Sequence, residues 1–348
     1  MKTYEKWLRK LTDCMSISGF ERTHAHTLLP HLEAIADKVS VTRLGSILVE
    51  KKAKKENAPT WLIDAHFDQI GMIVTGHKEG GFLSLANIGG VDPRILPASD
   101  VTIHGEKTLF GVVISTPPHL QKAEDKDKLT PLTELLVDTG YDKETIEKLA
   151  PIGTPVSFRG ALQKQLNDRV IGFGLDNKSC GAAALSALES MDKDKLECNV
   201  VVALSSFEET GGKGAVAGAV QVAPDFATVI DVNFASAPGV SAEDAIKMGE
   251  GPSISHSVLV DRAFTKKVIA LAKEKELPLQ EVVEVGNLGT NGNSIPLQLC
   301  GIRTVNMSLP LSSMHTATEI ISLQDGADMA RLLCEMAQTQ GFFAKEEK

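Results

Sequence analysis

Three compact apolar runs in this chain each end on residues that are costly to bury. Residues 61–65 (WLIDA) run into His66, Phe67 and Asp68. Residues 199–207 (NVVVALSSF) run into Glu208 and Glu209, and residues 227–230 (ATVI) run into Asp231. Short apolar runs without alternation read as strands buried on both faces of a sheet. Parallel strands of that kind need crossover connections, commonly helices, and the rest of the sequence supplies them. Residues 176–191 predict a helix with an alanine-rich face and residues 213–220 a helix of small residues after a Gly-Gly turn. Residues 261–275 predict an amphipathic helix, residues 302–307 a strand and residues 322–340 a closing helix. Earlier in the chain, Leu8, Leu11 and Met15 share one helical face, residues 31–41 predict a second helix and residues 46–50 a short strand. Strands alternating with helices define an α/β sandwich around a mostly parallel central sheet.

Between residues 72 and 163 the texture changes to Gly, Pro and short β-like runs: GMIVTG, GFLSLANIGG, DVTIHG, TLFGVVIST and GTPVSF. Short strands separated by regular turn signals predict a small β-barrel or sandwich. A charged, helix-compatible stretch at 120–150 interrupts it. The expected organisation is an α/β domain formed by residues 1–71 and 164–348, with a β-barrel domain, 72–163, inserted. At 348 residues the chain is long enough for both. It shows no internal repeat.

Composition removes several function classes. The net charge of −9 gives the surface no reason to seek nucleic acid or anionic membrane. Aromatic residues at 5% argue against a sugar-binding cleft paved with rings. No stretch approaches the ~18 apolar residues of a membrane span, and the first residues have no apolar run of signal-peptide length. The five cysteines are scattered, with no CxxC pair, so neither a disulfide framework nor a thiolate zinc site is expected. The expected compartment is the cytoplasm.

In open α/β sheets, ligands bind in the crevice beyond the carboxyl ends of the strands. His66, Glu209 and Asp231 follow strands, Asp176 stands at the expected N-cap of a helix, and His315 follows SLPLSSM. Taken singly, each has a plain explanation: an Asp before a helix is commonly just a cap. Taken together, they include three carboxylates that are costly to desolvate unless paired or metal-bound. Lys178, the one nearby base, could serve a single carboxylate. A divalent pair would neutralise the set. Three carboxylates and two imidazoles suit zinc, cobalt or manganese better than copper or an iron–sulfur cluster. In the His-x-Asp pattern, Asp68 can accept the other ring N–H of His66 and fix its tautomer.

These residues lie in motifs that resemble family forty-two of the metallopeptidases, the glutamyl, deblocking and tetrahedral aminopeptidases, some of which carry the label cellulase or endoglucanase. The motifs run in order along the chain: AHFDQIG (65–71), GGVDPRILP (89–97), PPH (117–119), LNDRVIGFGLDNKSCG (166–181), FEETGGKGA (207–215), IDVNFA (230–235) and SSMHTATE (312–319). The resemblance implies a zinc-peptidase-type α/β domain with an inserted β-barrel. It implies that Asp176 bridges two metals, that His66 and Asp231 complete one site, and that Glu209 and His315 complete the other. Glu208 would then be the general base acting on the water between the metals, and Asp68 would orient His66. The implied activity is release of N-terminal amino acids from peptides. The implied assembly, through the barrel, is a dimer and a tetrahedral dodecamer.

Two positions depart from the family pattern. Gln69 stands where Glu is usual, and Asn291, in LGTNGN, where Asp is usual. Both are candidate substrate-binding residues, and their lost charge leaves room for a catalytically weakened protein that binds metal and peptide. A glycosidase is the remaining rival. It needs two carboxyl groups about 5–9.5 Å apart across the scissile bond, and the adjacent Glu208 and Glu209 tend to point apart in an extended segment.

Overall fold

Helix α1 (Lys2–Thr12) buries Tyr4, Trp7, Leu8 and Leu11 on one face, the i, i+3, i+4, i+7 spacing of an amphipathic helix. Met15 lies beyond its end. The structure, a computed structural model, describes residues 1–120, 129–241 and 245–344. Two short helices follow, α2 (Glu21–Ala25) and α3 (Leu29–Glu33), and then strands β1 (Lys38–Val41), β2 (Ile47–Lys51) and β3 (Thr60–His66). The helix predicted over 31–41 therefore stops early. Lys38–Val41 pairs antiparallel with residues 47–50 instead, where β-branched Val39 and Val41 fit a pleated surface.

The next six strands close a barrel: β4 (Gly71–His77), β5 (Leu83–Ile88), β6 (Asp100–His104), β7 (Thr108–Ile114), β8 (Leu136–Asp138) and β9 (Pro155–Phe158), in the order β4-β5-β8-β7-β6-β9. Every pairing is antiparallel, and β4 with β9 completes the ring. Alternate residues fill its interior, among them Met72, Val74, Leu85, Val101, Ile103, Val113 and Val156. Helix α4 (Lys143–Leu149) stands within the charged stretch, its first turn capped by Asp142, which accepts from the Thr145 N–H. Residues 121–128 of that stretch lie outside the described residues.

The chain then returns to the α/β layer. Its elements are β10 (Gln163–Lys164), β11 (Arg169–Gly172), α5 (Leu175–Ser190), β12 (Asn199–Ser205), α6 (Lys213–Val222), β13 (Phe226–Phe234), β14 (Ser253–His256), α7 (Arg262–Glu274), β15 (Gln280–Val283), β16 (Arg303–Leu311), β17 (Glu319–Ser322) and α8 (Leu323–Gln338). The central sheet has eight strands in the order β1-β2-β12-β3-β13-β16-β14-β15. Its middle, β12-β3-β13-β16, is parallel throughout. Both faces are covered. Trp61, Ile63, Val200, Val202 and Leu204 pack toward α1, α5 and α8, while Leu62, Val201 and Ala203 pack toward α6. Burial on both sides explains why these strands show no polar alternation. The short strands β14 and β15 carry polar residues (SISH, QEVV) at the sheet margin, and their sequence signal is correspondingly weak.

Candidate metal centre

The parallel register brings the polar ends of three strands to one edge. Ser205 of β12 pairs with His66 of β3, so the chain after β12 delivers Glu208 and Glu209 beside His66. Asp231 lies on β13, which pairs with the other side of β3. His315 follows β16, and Asp176 enters from the start of α5. Asp176 is not a regular N-cap. Gly174 occupies that position, and Asp176 and Asn177 have non-helical backbone angles.

Asp176 stands between two imidazoles. Its Oδ1 is 3.1 Å from His66 Nε2 and its Oδ2 is 3.3 Å from His315 Nε2. A second carboxylate attends each ring: Asp231 Oδ1 lies 3.5 Å from His66 Nε2, and Glu209 Oε2 lies 3.5 Å from His315 Nε2. Glu208 Oε2 is 4.0 Å from His66 Nε2, and Glu208 is the most exposed carboxylate of the cluster. Burial first, and then the negative charges of Asp231, Asp68 and Asp176, push the Glu208 carboxyl up to about 8, against the pull of His66. Glu209 is raised for the same reasons, burial first and then Asp176.

Other buried carboxylates organise this cluster by its backbone. Asp68, 0% exposed, accepts the N–H of Glu208 at 2.9 Å and that of Glu209 at 3.1 Å. Its carboxylate is 3.6 Å from His66 Nδ1, whereas its own backbone carbonyl is 2.9 Å from that nitrogen. Asp68 therefore meets the His66 ring through its main chain, while its carboxylate binds the loop bearing the two glutamates. Glu319 does the same elsewhere, taking the Asp176 N–H at 3.2 Å and the His315 N–H at 3.0 Å. Sequence reasoning gave Glu319 no role, because a carboxylate bonded to main chain leaves no spacing signature. The GGVD segment closes the site from the barrel side. A Cβ at Gly90 would sit 2.7 Å from His315 Nδ1, so only glycine permits this approach.

Gln69 and Asn291 lie behind the cluster, 3% and 2% exposed. The buried Lys178 ammonium donates to Gln69 Oε1 and to the Cys14 carbonyl at 2.7 Å. Lys178 thus serves an amide and a carbonyl, where sequence reasoning allowed it one carboxylate. Asn291 Nδ2 donates to Asp64 Oδ2 at 2.8 Å and to Ser205 Oγ at 3.1 Å. Asp64, a carboxyl in the middle of WLIDA, was a visible signal that received no role. Burial raises it to about 7, against hydrogen bonds from Asn291 and Ser205.

The donor set falls into two groups, each of which could hold a metal ion. One ligand atom each from His66, Asp176 and Asp231 lies within 4.8 Å of the others, and the same holds for Asp176, Glu209 and His315. Glu209 Oε1 is buried with no hydrogen-bond partner, which a coordinated cation would satisfy. Nitrogen and carboxylate oxygen, with no thiolate, are the donors of hydrolytic metal sites.

Fold and site together are an α/β layer with an inserted barrel and, at one edge of the parallel strands, two side-chain groups that could each hold a metal ion. The model of the M42 glutamyl aminopeptidase family matches residues 45–332, and the chain belongs to that family. It is accordingly a hydrolase of peptide bonds. The lysyl aminopeptidase of Pyrococcus furiosus is 27% identical over 323 residues, covering 91% of this chain and 92% of its own. The TET aminopeptidase of the marine sediment archaeon Thaumarchaeota archaeon SCGC AB-539-E09 superposes with a TM-score of 0.90 at 26% identity, covering 97% of each chain. A solved structure described as a putative peptidase/endoglucanase is 32% identical, with a TM-score of 0.77, covering 98% of this chain and 100% of that one.

Proposed function

We propose that the chain is a dinuclear-metal aminopeptidase that releases N-terminal amino acids from peptides. The observation that carries this is Asp176, whose two oxygens face two different imidazoles, each with a further carboxylate beside it. His66, Asp176 and Asp231 would hold one ion, and Asp176, Glu209 and His315 the other. Zinc or cobalt suits these donors, with manganese as a third choice. Such a pair of ions supplies a lowered water pKa and polarisation of the scissile carbonyl.

The side chains supply the rest. Glu208, the most exposed carboxylate of the cluster, takes the proton of the attacking water and returns it to the leaving amine, a role worth about 10²–10⁴-fold. Asp68 holds the Glu208 and Glu209 amides and, by its carbonyl, the His66 ring. Gln69 and Asn291 act from behind, through Lys178 and Asp64, rather than on the substrate directly. Cleavage at the free amino end is supported by the relatives' names, lysyl aminopeptidase among them.

The barrel is the proposed assembly domain and the α/β layer the catalytic one. Along β7, Leu109, Gly111 and Val113 point inward while Phe110, Val112 and Ile114 stay exposed, Phe110 by 56%. An apolar row of this kind suits contact with a second copy, and one structural relative, PhTET1, is a dodecamer. Among the described residues no helix is long and apolar enough to cross a membrane. All five cysteines are free, which suits the reducing cytoplasm.

The test is exhaustive chelation followed by metal return, read on leucine- and glutamate-anilides and their N-acetyl forms. Chelation abolishes hydrolysis, Zn²⁺ or Co²⁺ restores it, and the acetylated forms stay uncut. Full turnover at verified zero metal would overturn the metal reading. Efficient cutting of a blocked peptide would overturn the aminopeptidase reading, and a single-chain mass by light scattering would remove the assembly reading.

A further inference from the structure

The segment that presents Glu208 is held in an unusual way. Four consecutive backbone N–H groups donate to side-chain oxygens from elsewhere in the fold: Ser206 to Ser46 Oγ at 3.1 Å, Phe207 to Glu21 Oε1 at 3.0 Å, and Glu208 and Glu209 to the two oxygens of Asp68 at 2.9 and 3.1 Å. The strand ladder of β12 has ended at Ser205, so these side chains set the path of the loop. Phe207, the residue before Glu208, has φ of +60°, a region that L residues with large side chains occupy only when their surroundings impose it.

Glu21 is the first residue of α2 and is 1% exposed. A buried carboxylate is costly unless its oxygens are hydrogen-bonded, and packing alone would be served as well by an apolar residue. Its carboxyl accepts from the Phe207 amide, 186 residues away. The turn that carries it grips both halves of the site. Ser18 Oγ and Thr210 Oγ1 share a hydrogen bond at 2.9 Å. On the other side, Ser16 Oγ donates to the Phe67 carbonyl at 2.7 Å, and Ser16 and Ser18 exchange backbone hydrogen bonds with Gln69, each at 3.0 Å. Residues 16–21 therefore join the segment bearing His66 and Asp68 to the segment bearing Glu208 and Glu209.

We propose that Glu21 is a positioning residue for proton transfer: it fixes the Phe207 peptide and thereby the direction in which the Glu208 side chain leaves the loop. This rests on Glu208 being the base. Asp68 still holds the Glu208 and Glu209 amides when Glu21 is removed, so the metal site survives; what is lost is the anchor on the Phe207 peptide, which sets the angle at which the chain enters Glu208. Misplacement of a reacting group by a fraction of an ångström to one ångström costs about 10- to 100-fold in rate.

The experiment uses the full, metal-loaded chain with Glu21→Ala and Glu21→Asp, the latter keeping the carboxyl group but shortening the reach to Phe207. Backbone hydrogen exchange should quicken by about 10-fold or more in the peptide covering residues 206–212 and stay unchanged elsewhere. The kcat should fall about 10-fold with KM and bound metal unchanged, whereas in a Glu208→Gln background the same substitutions should alter the residual rate less than about twofold. Unchanged exchange at 206–212 overturns the proposal, and so does an equal loss in both backgrounds when Glu208→Gln itself is slow. Near-normal turnover of Glu208→Gln alone overturns the assignment of the base, and this proposal with it.

Discussion

Asp68 accepts the backbone N–H of Glu208 through Oδ1 at 2.9 Å, and with its other oxygen it accepts that of Glu209 at 3.1 Å. One buried carboxylate thus sets the proposed base and a proposed metal ligand together. Asp68→Asn is isosteric but presents an NH₂ where one of the two amides needs an acceptor. An unsatisfied buried donor costs about 1–3 kcal/mol, so the variant should melt at a lower temperature and lose kcat by about 10-fold or more. His66 should remain in place, because the Asp68 carbonyl that meets its ring is untouched. Thermal unfolding and steady-state kinetics check this; wild-type kcat in the Asn variant would contradict it.

Glu319 joins the backbone of Asp176 to that of His315, at 3.2 and 3.0 Å. Glu319→Gln should weaken metal binding by about 10–100-fold, the usual effect of losing a group that orients ligands. Asp176→Ala should lose both ions, since Asp176 is shared by both ligand groups. Chelator competition measures each affinity, and wild-type affinity in Glu319→Gln would show that the carboxylate only fills space.

The two family departures acquire a different meaning from their partners. Gln69→Glu would place a carboxylate on the buried Lys178 ammonium, which absorbs its charge as an ion pair. Asn291→Asp would set a second carboxyl against Asp64, now 2.8 Å from the amide, and one of the two would have to hold a proton. Neither change should therefore favour substrates with N-terminal Lys or Arg. Asn291→Asp should also cost stability, on the order of 1–3 kcal/mol. A kcat/KM panel over N-terminal residues, with thermal unfolding, checks both. A selective gain for basic substrates in either variant would restore a direct substrate contact.

The cluster around Asp176 was visible in the sequence because its members end apolar runs or stand at element starts, and parallel strands carry such ends to a common edge. The barrel was visible in its Gly- and Pro-punctuated strands. What was hidden has a shared physical cause. Asp68 meets Glu208 across 140 residues, Glu319 meets Asp176 across 143, and Glu21 meets Phe207 across 186. A side chain that bonds a distant amide imposes no residue type on that amide, so neither end leaves a pattern. The split of residues 31–41 into α3 and β1 was hidden because the pairing with β2 is tertiary.

Glu208→Gln tests the central claim most directly, because it removes the proton carrier and leaves every proposed metal ligand in place. The variant and the wild type, each prepared with zinc or cobalt, should both bind two ions per chain by elemental analysis. Its kcat on a leucine-anilide should fall at least about 10²-fold. Two bound ions with near-normal turnover would contradict the account, as would a variant that is slow only because it has lost its metal.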